Sequence, residues 1–206
     1  MTVVWRKATK DGPHTPLVIV LHGRGADETD LLPVIERLPR ALSYASLRAL
    51  VPVAGGGFTW FENRGAARPI AKSLRASSAQ IRAWLDELTP PATQRPVFLA
   101  GFSAGMMMAG ALMLDDPARF AGAVLLSGAL PLDSGLDAED ERLRGKPVFY
   151  ARGERDDVIP ADLVARSEAY LRERSGAVLT ARMYDHDHSI SVNEIRDIAA
   201  WFAEHV

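Results

Sequence analysis

Val97-Phe98-Leu99-Ala100-Gly101-Phe102-Ser103-Ala104-Gly105-Met106-Met107-Met108 changes character at its midpoint. Residues 97–102 make a short, nearly continuous apolar run of strand length. From Ala104 the apolar stretch continues to Leu114, long enough for a helix. Gly101-Phe102-Ser103-Ala104-Gly105, a G-x-S-x-G sequence, falls where the strand passes into the helix. At such a turn the serine is held in a strained conformation, and the glycines let strand and helix approach closely. The hydroxyl is then projected clear of the sheet. The plainer alternative is a glycine-rich turn whose serine only caps a helix.

The same alternation recurs on both sides of this turn. Leu17–His22, Leu47–Val53, Gly122–Ser127, Val148–Arg152 and Val178–Tyr184 read as further buried strands, with Val3–Lys7 as an edge strand. Their near-continuous apolar character suits a parallel sheet covered on both faces. Helical periodicity marks about Thr29–Leu38, Ile70–Leu88, Asp162–Arg174 and Val192–Glu204. Ser191 and Glu194 form a capping box ahead of Ile195, Ile198, Ala199 and Phe202. The rhythm predicts a doubly wound α/β sheet with right-handed crossovers, one domain over residues 1–206. In an open sheet of this kind, ligands bind at the loops that follow strand C-termini. Ala54–Ala67 and Pro131–Lys146 are the two long loops in such positions.

Composition narrows the function classes. Across 206 residues, 48% are hydrophobic and 24% charged, an ordinary globular balance. The net charge of −2 gives no electrostatic case for nucleic acid or an anionic membrane. The absence of cysteine excludes disulfides, thiolate metal sites and a cysteine nucleophile. No apolar run is long enough for a membrane span, and no targeting segment is visible at the N-terminus, so a cytoplasmic location is expected. Gly55-Gly56-Gly57 lacks the lysine of a phosphate-binding loop and the spacing of a dinucleotide fingerprint.

A serine hydroxyl needs a general base and an orienting carboxylate to act as a nucleophile near neutral pH. Both types follow Ser103, each after an expected strand. Asp156 and Asp157 stand in Gly153-Glu154-Arg155-Asp156-Asp157-Val158-Ile159-Pro160, and His186 and His188 in Asp185-His186-Asp187-His188. Residue types alone leave either aspartate and either histidine open. A metal reading of the Asp/His cluster is weaker, because no further ligand stands at metal spacing. Leu21-His22-Gly23-Arg24-Gly25 supplies a glycine-rich turn after a strand, suited to donating backbone N–H groups to a developing oxyanion. Arg24 N–H would be one donor and Ala104 N–H the other, while His22 reads as a structural hydrogen-bonder. The Arg24 side chain, where it reaches the cleft, would favour anionic esters. Gly23, Phe58, Trp60 and Phe61 are the expected pocket residues, and the three methionines after Gly105 are expected in the core.

LHGRGADETDLLPV (residues 21–34), GFSAG (101–105), GERDDVIP (153–160) and HSIS (188–191), in this order and spacing, resemble the phospholipase/carboxylesterase family of small α/β-hydrolases. That family includes bacterial carboxylesterases and acyl-protein thioesterases. The likeness implies an α/β-hydrolase fold, and at 206 residues little chain remains beyond the sheet and its helices for a separate lid domain. It also implies a Ser–Asp–His ester hydrolase with no metal and no cofactor. Position relative to the glycine and proline of the third motif selects Asp156, and the residues after it select His188. Three departures stand out: Asp187 where the family commonly has glycine, Ala104-Gly105 where the thioesterase branch has Gln-Gly, and Arg24 in place of an apolar side chain. The expectation is a carboxylesterase for small or short-chain acyl esters. An acyl-thioesterase or lysophospholipase would use the same machinery, and a non-catalytic binding protein is the third alternative. The expected partner is a small-molecule ester, and a homodimer is left open.

Overall fold

The computed structural model describes all residues, 1–206. Seven strands form the central sheet: β1 Val3–Arg6, β2 Leu17–Leu21, β3 Ser43–Leu47, β6 Val97–Phe102, β7 Gly122–Leu126, β8 Pro147–Gly153 and β9 Val178–Tyr184. Their spatial order is β1-β3-β2-β6-β7-β8-β9. Only β1 runs antiparallel, against β3. A separate two-stranded ribbon joins β4 Val51–Pro52 to β5 Phe58–Thr59.

Five helices complete the fold: α1 Leu32–Ile35, α2 Ala71–Leu88, α3 Ala104–Asp115, α4 Ala161–Ala169 and α5 Val192–His205. Alternate residues of each strand face opposite sides, so the sheet has two cores. Ile19, Leu99 and Leu125 pack with α2 and α3 on one face. Val18, Val20, Phe98 and Phe149 pack with α1 and α5 on the other. Helix α3 lies against the sheet and is buried along nearly its whole circumference, which explains its lack of a polar stripe. This is the mostly parallel, doubly covered architecture that the strand pattern predicts.

The differences from expectation have local causes. The third strand is Ser43–Leu47, not Leu47–Val53. A central strand needs ladder donors on both edges, and Pro52 has none; it sits instead in the ribbon. Ser43 and Ser46 are both buried in β3; Ser43 is hydrogen-bonded, whereas Ser46 Oγ has no partner within the chain. Ala8 N–H donates to Ser43 Oγ, which donates to Asp11. The helix expected at Thr29–Leu38 shrinks to one turn, since Pro33 cannot donate to the Thr29 carbonyl. Helix α4 ends at Ala169, and residues Tyr170–Arg174 continue as a wider turn closed by Ser175 N–H on the Tyr170 carbonyl. The capping box on α5 is present in both directions.

After β3 the chain crosses to β6, on the far side of β2, so loops leaving β2 and β6 diverge. The crevice that opens at such a reversal lies between the Gly23 turn and the Ser103 turn.

Candidate active site

Ser103 is placed by the tightness of its turn. Its φ of 56° is in the left-handed region, which a residue with a Cβ occupies only at a cost. The turn is pinned on both sides. Ser103 N–H donates to the Leu126 carbonyl at 2.9 Å, and the Ser103 carbonyl receives Met107 N–H. Gly105 then passes directly over the end of β2, where a Cβ would strike the Leu21 and His22 carbonyls. The backbone is therefore fixed and the hydroxyl points outward.

His188 Nε2 lies 2.9 Å from Ser103 Oγ, and its Nδ1 lies 2.8 Å from Asp156 Oδ2. Eighty-five residues separate the serine and the histidine in the chain. Asp156 is almost wholly buried, and its other oxygen accepts Val158 N–H at 3.1 Å. A buried carboxylate on Nδ1 holds the imidazole with its proton there and leaves Nε2 to accept from the hydroxyl. The Phe102 ring packs against His188 with centroids 5.0 Å apart, limiting its rotation.

The two loops that carry Asp156 and His188 are stitched together. Glu154 N–H donates to the Tyr184 carbonyl and Arg155 N–H to the His186 carbonyl. Gly153 makes this possible, because a side chain there would collide with the His186 and Asp187 carbonyls. His186 is engaged elsewhere: its Nε2 is 3.1 Å from Glu194 Oε2, and its Nδ1 donates to the Asp187 carbonyl at 2.8 Å. Glu194 is fully buried and caps α5 while holding this loop. Burial raises its carboxyl above the ordinary range, an effect that the Ser191 N–H and the His186 ring only partly offset. The capping box was legible in the sequence; its second contact with His186 was not.

The turn after β2 faces Ser103 across the crevice. His22 is fully buried, accepts Ala49 N–H at Nε2 (3.1 Å), and so carries its proton on Nδ1. That proton is donated to the Gly23 carbonyl at 2.6 Å. Burial also pushes the imidazole below its usual pKa, which keeps it neutral. All peptide bonds are trans, so a Gly23 carbonyl turned toward His22 leaves the Arg24 N–H facing the opposite way. Arg24 and Ala104 both border the cavity, and neither backbone N–H is used within the chain. Gly25 N–H donates to the Phe58 carbonyl and Phe58 N–H to the Ala26 carbonyl, tying the turn to the ribbon. Glu28 and Arg48 brace the same contact through a bidentate ion pair, with the Arg48 guanidinium 4.9 Å above the Phe58 ring.

These elements surround an open cavity of about 780 Å³. Ser103, Ala104, His188, Gly23, Arg24 and Phe61 line it. Phe58 and Trp60 do not, which corrects the pocket reading of the loop aromatics. Trp60 is fully buried behind the turn, its indole N–H donating to the His22 carbonyl at 2.8 Å. Phe58 is taken up by the ribbon and by Arg48. The walls come instead from Val51–Ala54, Met107, Val158 and Ile159. Val51, Pro52 and Val53 were not expected here, because the strand assigned to Leu47–Val53 placed them in the sheet, whereas Ala54 begins the loop expected to border a ligand. Val158 and Ile159 carry no local signal for a wall position, since only the packing of the loop after β8 brings them to the cavity.

A family model described as Phospholipase/Carboxylesterase matches residues 6–206. The chain belongs to that family. Membership makes it a hydrolase of the esterase and thioesterase type. Acyl-protein thioesterase 1 of Kluyveromyces lactis is 24% identical, the match spanning 97% of this chain and 96% of that one. Among solved structures, the carboxylesterase of Bacillus cereus superposes with a TM-score of 0.85 at 23% identity, covering 100% of this chain and 95% of the other. The Mesorhizobium loti carboxylesterase gives 0.82 at 27% identity, with 97% and 92% covered. No helix of this family member is long and apolar enough to cross a membrane.

Proposed function

We propose that this protein hydrolyses carboxylic esters through an acyl-enzyme on Ser103. The observation that carries this reading is the unbroken hydrogen-bond chain from Ser103 Oγ through His188 to Asp156, at 2.9 and 2.8 Å. Ser103 Oγ attacks the acyl carbonyl as His188 Nε2 takes its proton. Asp156 holds the ring in orientation and stabilises the imidazolium. The carbonyl oxygen, now negative, receives the Arg24 and Ala104 N–H groups. His188 returns the proton to the departing alkoxide, leaving the acyl group on Ser103. Water, deprotonated by His188, then attacks the acyl-enzyme and releases the carboxylic acid.

The cavity is open to solvent, and its lining mixes apolar residues such as Val51, Met107 and Ile159 with polar ones such as Thr59 and Asn63. This favours small or flexible acyl groups over long chains. The thioesterase-named relative keeps a second reading in view, since the same machinery cleaves a thioester. A panel of p-nitrophenyl acetate, butyrate and palmitate against acetyl- and palmitoyl-thioesters separates them. Short oxoesters should give the highest kcat/KM; a thioester preference would replace the first reading by the second. Intact mass after treatment with a fluorophosphonate should show a single addition that maps to Ser103, and absence of labelling would refute the acyl-enzyme.

A further inference from the structure

We infer that the preferred substrates carry an anionic group, such as a carboxylate, close to the ester, and that the Arg24 side chain recognises it. This deepens the esterase reading and rests on it.

Three observations carry the inference. First, Arg24 borders the cavity and is exposed to solvent at its rim. Second, it is unpaired: no carboxylate oxygen lies within 4 Å of its guanidinium. Most arginines here are engaged, as with Arg48 on Glu28, Arg68 on Asp162, Arg95 on Asp11 and Arg166 on Asp133. Of those without an acidic partner, Arg24 alone lines this cavity. Third, its backbone sets its reach. The Arg24 N–H is held toward the reacting carbonyl by the His22 bond to the Gly23 carbonyl. An extended arginine side chain spans about 7 Å from Cα to its terminal nitrogens. A substrate carbonyl seated at Ser103 therefore has a cation within reach of a chain of about four methylenes.

The planar fork of a guanidinium matches a carboxylate or a phosphate monoester. Glu62, the one acidic side chain lining the cavity, repels the same group and so biases it toward Arg24. Because the site is open to water, the gain is modest, about five-fold in kcat/KM. It should also shrink with added salt.

Two matched pairs test this with the full-length protein. The acyl pair is p-nitrophenyl hydrogen adipate against p-nitrophenyl hexanoate. The alcohol pair is 4-acetoxybenzoate against 4-methylphenyl acetate. The readout is the anionic-to-neutral ratio of kcat/KM, corrected for uncatalysed hydrolysis, in wild type, Arg24→Met, Arg24→Lys and the distant control Arg172→Met. A ratio that falls about five-fold in Arg24→Met, is partly kept in Arg24→Lys and is unchanged in Arg172→Met supports the inference. The pair that responds tells whether the anion sits in the acyl or the alcohol part. A ratio in both pairs that is the same in wild type and Arg24→Met overturns it. Wild type that turns over neither neutral ester and resists fluorophosphonate would instead defeat the esterase reading itself.

Discussion

The His22 imidazole donates from Nδ1 to the Gly23 carbonyl at 2.6 Å, and that bond determines which way the Arg24 N–H faces. A buried side chain thereby controls a backbone donor that it does not touch. Its own proton is fixed by a third group, the Ala49 N–H on Nε2.

His22→Phe keeps an aromatic ring beside Trp60 but removes the donor to Gly23. Loss of one oriented oxyanion donor typically lowers kcat about 10²-fold. Steady-state kinetics with p-nitrophenyl acetate should show that fall in kcat with KM little changed. Equal kcat in the two proteins would remove His22 from the positioning of Arg24.

Ser103→Gly should separate stability from activity. The left-handed φ costs a residue with a Cβ about 1 kcal/mol, and glycine is relieved of it. The variant should lose ester hydrolysis to near background while its urea midpoint rises. A lowered midpoint would mean the turn is not strained.

Gly105→Ala should act in the opposite direction. The added Cβ meets the Leu21 and His22 carbonyls, backbone atoms of a central strand that cannot rotate aside. A loss of about 3 kcal/mol in urea unfolding is expected, with activity reduced because the Ser103 turn must shift.

Two buried ionisable groups give opposite pH signatures. The folded pKa of His22 lies below its ordinary 6.5, so its contribution is complete above pH 6.5 and is lost as pH falls toward the depressed value. The folded pKa of Glu194 lies above its ordinary 4.5, so its contribution is complete below pH 4.5 and is lost as pH rises through the raised value. Glu194→Gln keeps the residue-194 N–H bond to Ser191 Oγ, but one oxygen serves both the Ser191 N–H and His186, so its amide replaces only one of those two contacts. With no charge to bury, its stability relative to wild type should be higher at pH 7 than near pH 4. Urea unfolding across this range checks both signs; an advantage that grows toward acid would contradict the Glu194 assignment.

Sequence alone was enough for the features that depend on neighbouring residues. Val97–Phe102 is a strand with the expected limits, because a central strand covered on both faces is apolar nearly throughout. Val178–Tyr184 also keeps its limits, but it is the sheet's edge strand and is not buried as expected, with Val178 and Met183 exposed. The Ser191–Glu194 cap and the strand–turn–helix at Ser103 were legible for the same reason: each is built from groups a few positions apart. What adjacency could not decide, the packed sheet did. His188 rather than His186 meets Ser103, and Asp156 rather than Asp157 meets His188, because the β8 and β9 loops are stitched side by side by bonds between distant backbones. Trp60 turns inward to the His22 carbonyl, and Val51–Ala54 take the wall it was expected to form, because Pro52 is excluded from the sheet and the ribbon swings that segment over the cavity. Such choices turn on which groups remain unsatisfied once every strand has its neighbour, and no stretch of chain contains that information before the sheet has closed around it.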